Sequence, residues 1–179
     1  AAFTAGAGRR IDRARSQGCP EAKPSRRSVG RRVARAARLH RQRDGPLAPL
    51  IPDTALLVAA ERGADAPLGL IGDEEDIAIA AITAAELLVG VELADAKRRQ
   101  KRERFVTEIL ETVSIEPYDL TIARAHAALL AHTRRAGRAR GAHDLQIAAT
   151  ARATERTVVT ADREGFADLP GVQVREQST

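Results

Sequence analysis

Short apolar runs alternate with longer helical stretches between residues 49 and 175, and this alternation predicts an α/β domain with a central parallel sheet flanked by helices. Two further observations agree. Aromatics make up 2% of a chain that is 44% hydrophobic, and Trp and Met are absent, so the core must be built from Ala, Leu, Ile and Val, which suits helices packed on a parallel sheet. Four acids far apart in sequence, Asp53, Glu86, Asp144 and Asp162, each stand where an apolar run ends or a helix opens. In open α/β sheets the carboxyl ends of the strands line the crevice that holds the chemistry.

Each element follows from its own stretch of sequence. PLAPLIPD predicts a strand over 50–52 that ends at Asp53, and TALLVAAERG a helix over 55–62. A strand over 77–82 leads into a helix over 84–94 carrying Glu86, expected in its first turn, where negative charge is favoured. A charged helix over 98–111, a strand over 113–116 and a helix over 120–136 follow. Asp144 opens HDLQIAATARA, a helix over 145–154, and the β-branched run TVVTAD is a strand over 158–160 that stops at Asp162. A last strand is expected over 172–174. Pro52 removes a ladder donor at the end of a strand that should be central, so pairing is expected to stop early there.

Charge divides the chain in two. Residues 1–48 hold 13 basic and three acidic side chains, a net of +10, whereas the rest holds 16 basic and 21 acidic, a net of −5. The first segment is rich in Arg, Ala, Gly, Ser and Pro, with Phe3 as its one aromatic, and is expected to be disordered because it cannot offset ordering entropy by burial. A weak basic helix near residues 29–37, attraction to nucleic acid phosphates and a transit peptide are other readings of it. The chain starts at Ala without any Met, which raises the expectation that residues 1–48 are not native coding; residues 49–179 are expected to be the domain. Cys19 stands alone, excluding an internal disulfide and a cysteine-based zinc cluster, and a reducing cytoplasm is the expected setting. No run of about 18 apolar residues is present, so no membrane span is expected.

Carboxylates drawn into one pocket repel, by about 1 kcal/mol per pair at 4 Å in water and about 4 at an effective dielectric of 20, unless a cation offsets them. Oxygen-only ligands favour Mg²⁺ or Mn²⁺ over zinc, and such a site fits phosphodiester hydrolysis. Each acid also has a structural reading. Asp53 and Asp144 could be helix N-caps, Thr83 with Glu86 fits a capping box, and Asp162 could belong to a turn. Two basic sets, Lys97 to Arg104 and Arg134 to Arg140, read either as solvated faces or as contacts for a polyanion backbone.

The order and spacing of LIPDTALLVAAERG, ITAAELLVGV, GRARGAHDLQIAATARA and TVVTADREGFADLPGVQV resemble the PIN-domain ribonucleases, in particular the VapC-like toxins of type II toxin-antitoxin pairs, over about residues 49–175. The resemblance implies a PIN-like fold and an endoribonuclease that uses Mg²⁺, with Mn²⁺ as a substitute, acts on RNA, is blocked by a VapB-like antitoxin and forms a homodimer. By position it implies Asp53, Glu86, Asp144 and Asp162 as metal-binding catalytic carboxylates, with Thr54 and Thr160 orienting ligands or water. The fourth acidic position, Asp162, varies in the family, and Glu164 or Asp168 could share its role. His143 precedes Asp144, but adjacent helical residues point about 100° apart, so it is expected to be structural or at the rim. The long basic segment departs from the family pattern. Ala55 stands where a haloacid dehalogenase-type enzyme needs a second Asp, and no P-loop motif is present. The rival from another class is a PIN-like module that has lost catalysis and binds protein or RNA.

Overall fold

The computed structural model describes residues 48–63 and 75–177. The expectations for residues 1–47 lie outside the described residues, and the first strand begins at Ala48, one residue before the expected domain boundary. Strands β1 (Ala48–Pro52), β2 (Glu75–Ala80), β3 (Ser114–Glu116), β4 (Thr157–Thr160) and β5 (Gln173–Glu176) form one all-parallel sheet in the order β3-β2-β1-β4-β5. From β1 the order runs outward in opposite directions through β2 and through β4. The switch point therefore lies between β1 and β4, at whose carboxyl ends such sheets place ligands.

Helices α1 (Thr54–Arg62), α2 (Ala81–Glu92) and α3 (Ala96–Thr112) cover one face, where Leu57, Ile77, Ile79, Leu87, Val91, Val106 and Ile109 pack together. Helices α4 (Leu120–Arg135), α5 (Ala142–Ala153) and the single turn α6 (Arg163–Phe166) cover the other, with Ile51, Ile122, Leu129, Leu145, Ile147, Val158 and Phe166. Side chains alternate across a strand. Leu50 accordingly joins Leu56 and Val159 in a separate cluster, while its neighbour Ile51 faces α4 and α5.

Pro52 stops the ladder on one side only. Pairing with β2 ends at Leu50 opposite Ile77, but pairing with β4 continues to Pro52 opposite Val159, and Asp53 N donates to Val159 O at 3.0 Å. Alternate residues point their N–H groups to opposite sides. The donor missing at Pro52 thus faces β2, and pairing with β2 ends two residues short of the pairing with β4.

Three local expectations are corrected. The segment expected as strand over 77–82 turns helical at Ala81, so Glu86 sits in the second turn of α2 and not the first. Its N-cap is Ala80, without a side-chain bond, and the Thr83–Glu86 capping box does not form. Helix α5 starts at Ala142 with Gly141 as N-cap, which puts Asp144 in the first turn but not at the cap. The basic run on α3, by contrast, keeps the solvated reading given to it, with its arginines paired to nearby acids: Arg98 meets Asp95 at 2.7 Å, Arg99 meets Glu92 at 2.8 Å and Arg102 meets Glu61 at 2.9 Å.

Candidate active site

Asp53 is positioned by the central strand and by the helix it starts. It is 5% exposed, and as N-cap of α1 its Oδ1 accepts from Leu56 N at 2.7 Å. Its Oδ2 accepts from Thr160 Oγ1, at the end of β4, at 2.5 Å. The cap does not exhaust the residue, because Asp53 also lies in the field of Asp144 and Asp162. Burial raises its pKa above the ordinary value; the bonds from Thr160 and Leu56 oppose the rise, and the two neighbouring carboxylates add to it.

Glu86 is half-buried and held from two sides. Thr54 Oγ1 donates to Oε2 at 2.5 Å, and His143 Nδ1 bonds Oε1 at 2.5 Å. Thr83 Oγ1 stands 3.5 Å from Thr54 Oγ1 beneath this pair. His143 stands at the rim, as expected, but it is bonded to a site carboxylate. The angle of about 100° between successive helical residues does not remove it from the site; it sends His143 toward Glu86 while Asp144 turns toward Asp162. His143 is exposed, so it stands at the mouth and closes one edge of the site.

Asp144 and Asp162 converge on Gly165. A Cβ built there would stand 3.3 Å from Asp162 Oδ2 and 3.8 Å from Asp144 Oδ2, so the absence of a side chain leaves a cradle between them. Gly141 is as confined, since a Cβ on it would overlap Asp144 Oδ2. Burial raises the pKa of Asp144, and the charges of Asp162 and Glu86 add to the rise. Asp162 is exposed; it caps α6 through Gly165 N at 3.3 Å, and its own N–H donates to Thr160 Oγ1 at 2.9 Å. Asp168 pairs with Arg138 at 2.8 Å, and Glu164 is exposed, with only its backbone carbonyl engaged by Arg140.

The candidate donors are carboxylate oxygens of four acids flanked by two threonine hydroxyls, a chemistry that suits a hard divalent cation. The open cradle at Gly165 and the mutual repulsion felt by Asp53 and Asp144 are what such an ion would use and relieve. Among the described residues no three His, Cys, Asp or Glu side chains are grouped so as to hold a metal ion, and protein hydrogen bonds engage both carboxylate oxygens of Asp53 and of Glu86.

Residues 50–172 match the PIN domain family. The chain is 37% identical over 120 residues to Ribonuclease VapC5 of Mycobacterium tuberculosis, an alignment covering 66% of this chain and 86% of that protein. It is similar to the crystal structure of VapBC-5 from Mycobacterium tuberculosis, a member of the VapBC family of toxin-antitoxin systems, with a TM-score of 0.61 and 28% identity over 73% of this chain and 99% of the other. The structure of VapBC2 from Rickettsia felis, bound to a DNA fragment from its promoter, shares the fold, with a TM-score of 0.65 and 24% identity over 72% and 98% of the two chains. With the acids ranged along the carboxyl ends of a five-stranded parallel sheet, the chain belongs to the PIN-domain family, among its VapC-like members.

Proposed function

We propose that this protein is an endoribonuclease toxin that hydrolyses RNA phosphodiester bonds with Mg²⁺, or Mn²⁺ in its place, and is neutralised by a VapB-like antitoxin. The observation that carries the reading is the gathering of Asp53, Glu86, Asp144 and Asp162 around one crevice, from four distant stretches of sequence. The relative named as a ribonuclease and the solved toxin-antitoxin neighbours support the substrate and the partner.

Asp53, Glu86, Asp144 and Asp162 would hold the ion, which when bound supplies positive charge against the phosphate and acidifies water for attack. Thr160 holds Asp53 Oδ2, and Thr54 with His143 fixes both oxygens of Glu86. Glycines at 141 and 165 keep Cβ atoms away from the Asp144 carboxylate and from the gap between Asp144 and Asp162. Among the described residues no helix is long and apolar enough to cross a membrane. We assign action on RNA in the cytoplasm as part of the same reading. Exposed Leu88, Val89 and Leu93, on and just beyond α2, offer apolar surface for the antitoxin or for the second subunit of a homodimer.

The test is RNA cleavage by the purified chain with Mg²⁺, with Mn²⁺ and with chelator, beside the Asp144→Asn variant. Cleavage that needs the metal and vanishes in the folded variant is expected. Absence of both cleavage and metal binding would favour the non-catalytic module.

A further inference from the structure

The loop Gly137–Gly141 joins α4 to α5 and leads directly to Asp144. Its arginines read from sequence as contacts for a polyanion, but both are engaged within the chain. Arg140 Nη1 donates to Glu164 O, its Nη2 donates to Ala167 O at 3.0 Å, and Arg138 Nη1 meets Asp168 Oδ2 at 2.8 Å. A helix leaves its last four carbonyls without intrahelical partners, and α6 is a single turn of four residues, closed by Ala167 N to Arg163 O at 2.9 Å and capped by Asp162. The guanidinium supplies two of the missing donors in one planar fork, with its charge at the end of the helix that favours cations.

Two observations separate Arg140 from an ordinary surface staple. Its two hydrogen bonds go to backbone carbonyls, and among the described residues its Nε is buried without a hydrogen-bond partner, which is unfavourable. Its charge also acts on Asp144, favouring the ionised carboxylate. The helix it grips carries Asp162 at its cap and Gly165, on which the carboxylates of Asp162 and Asp144 converge.

We propose that Arg140 is a positioning residue of the carboxylate site: by clamping α6 to the loop that precedes α5, it sets the gap between Asp144 and Asp162. Displacing α6 moves Asp162 and Gly165 together and leaves Asp53, fixed by the sheet, where it is. Buried Phe166 anchors the same turn from the core side, so Arg140 governs where α6 sits over the pocket and Phe166 governs whether it packs at all. The inference rests on the metal-site reading given above.

The test compares the full chain with Arg140→Ala, Arg140→Lys and Arg138→Ala by hydrogen exchange of residues 161–168, Mn²⁺ affinity, thermal unfolding and RNA cleavage. Arg140→Ala is expected to speed exchange in α6 and to weaken Mn²⁺ binding about 10- to 100-fold, as loss of an outer-shell partner does, with dilute methylguanidinium restoring affinity. Arg140→Lys, which keeps the charge without the fork, should fall between the two, and Arg138→Ala should change affinity least. Unchanged exchange and affinity in Arg140→Ala would overturn the proposal. So would a loss that follows general unfolding and is not restored by methylguanidinium or by lysine. A wild-type chain that binds Mn²⁺ but leaves RNA intact would refute the nuclease reading alone, since exchange and affinity still decide the role of Arg140. A wild-type chain that binds no Mn²⁺ would overturn both.

Discussion

Asp53 ends a central strand at 5% exposure with both carboxylate oxygens bonded, whereas Asp162, on the far side of the same crevice, is exposed and held by one 3.3 Å bond to its carboxylate on a four-residue helix. The first is fixed by backbone and sheet, and the second by a turn that must itself be clamped. The wall at Asp53 therefore acts as the reference point of the site, and the Asp144–Asp162 side as the part whose geometry can be tuned. That difference predicts a graded response to substitution around the pocket.

The largest effects should come from Asp53→Asn and Asp144→Asn. Each is expected to lower RNA cleavage by more than the roughly 100-fold that follows loss of an outer-shell partner, while circular dichroism shows a folded protein; full activity in either would sink the metal-site assignment. Asp162→Asn should lose less, about 10- to 100-fold in cleavage rate. Equal loss at Asp53 and Asp162 would break the distinction between a fixed and an adjustable wall.

Thr160→Val, nearly isosteric, removes a buried bond to a charged group and should destabilise the fold by about 1.5–3 kcal/mol in denaturant titrations. Thr54→Val or His143→Ala releases one oxygen of Glu86, for an expected drop of about tenfold in cleavage. Rescue by His143→Gln, but not by His143→Ala, would identify the hydrogen bond as the cause.

The folded-state pKa of Asp53 is raised, so its contribution to stability is fully present below the unfolded value near 3.8 and is lost as pH rises through the folded value. Asp144 acts in the same direction. Asp53→Asn should therefore stabilise the chelated protein relative to wild type at neutral pH, with the gap closing as pH falls toward 3.8. A gap that widens on acidification would contradict this sign. At the bottom of the scale, Arg163→Ala breaks an exposed 3.5 Å contact to Glu176 and should alter stability by less than about 0.5 kcal/mol.

Most of the fold was legible because hydrophobic period is a local property. All five strands stand within two residues of their expected places, and each long helix expected after residue 48 within three, because β-branched runs such as TVVT and amphipathic ones such as LTIARAHAALLAHTRR carry their own signal. Boundaries failed where local preference was weak. Ala81 and Ile82 read as strand yet begin α2, and the four-residue α6 has no period to display. The structural reading of Asp53 and Asp162 holds, since each caps a helix through one carboxylate oxygen; the second accepts from Thr160 in Asp53 and stands beside Gly165 in Asp162.

By itself the sequence determined which acids end strands or open helices, that the core is aliphatic and that the domain carries net negative charge beside an arginine-rich segment. It also carried the order of motifs that marks the PIN family. Only the tertiary structure decided how those acids are held: Thr160 reaches Asp53 across 107 positions, His143 reaches Glu86 across 57, and Arg140 reaches the carbonyls of α6 across 24 and 27. Period and capping preference act within a few residues of one another. Contacts of this range exist only once β1 and β4 are adjacent and α5 lies over them, so no local pattern could have announced them.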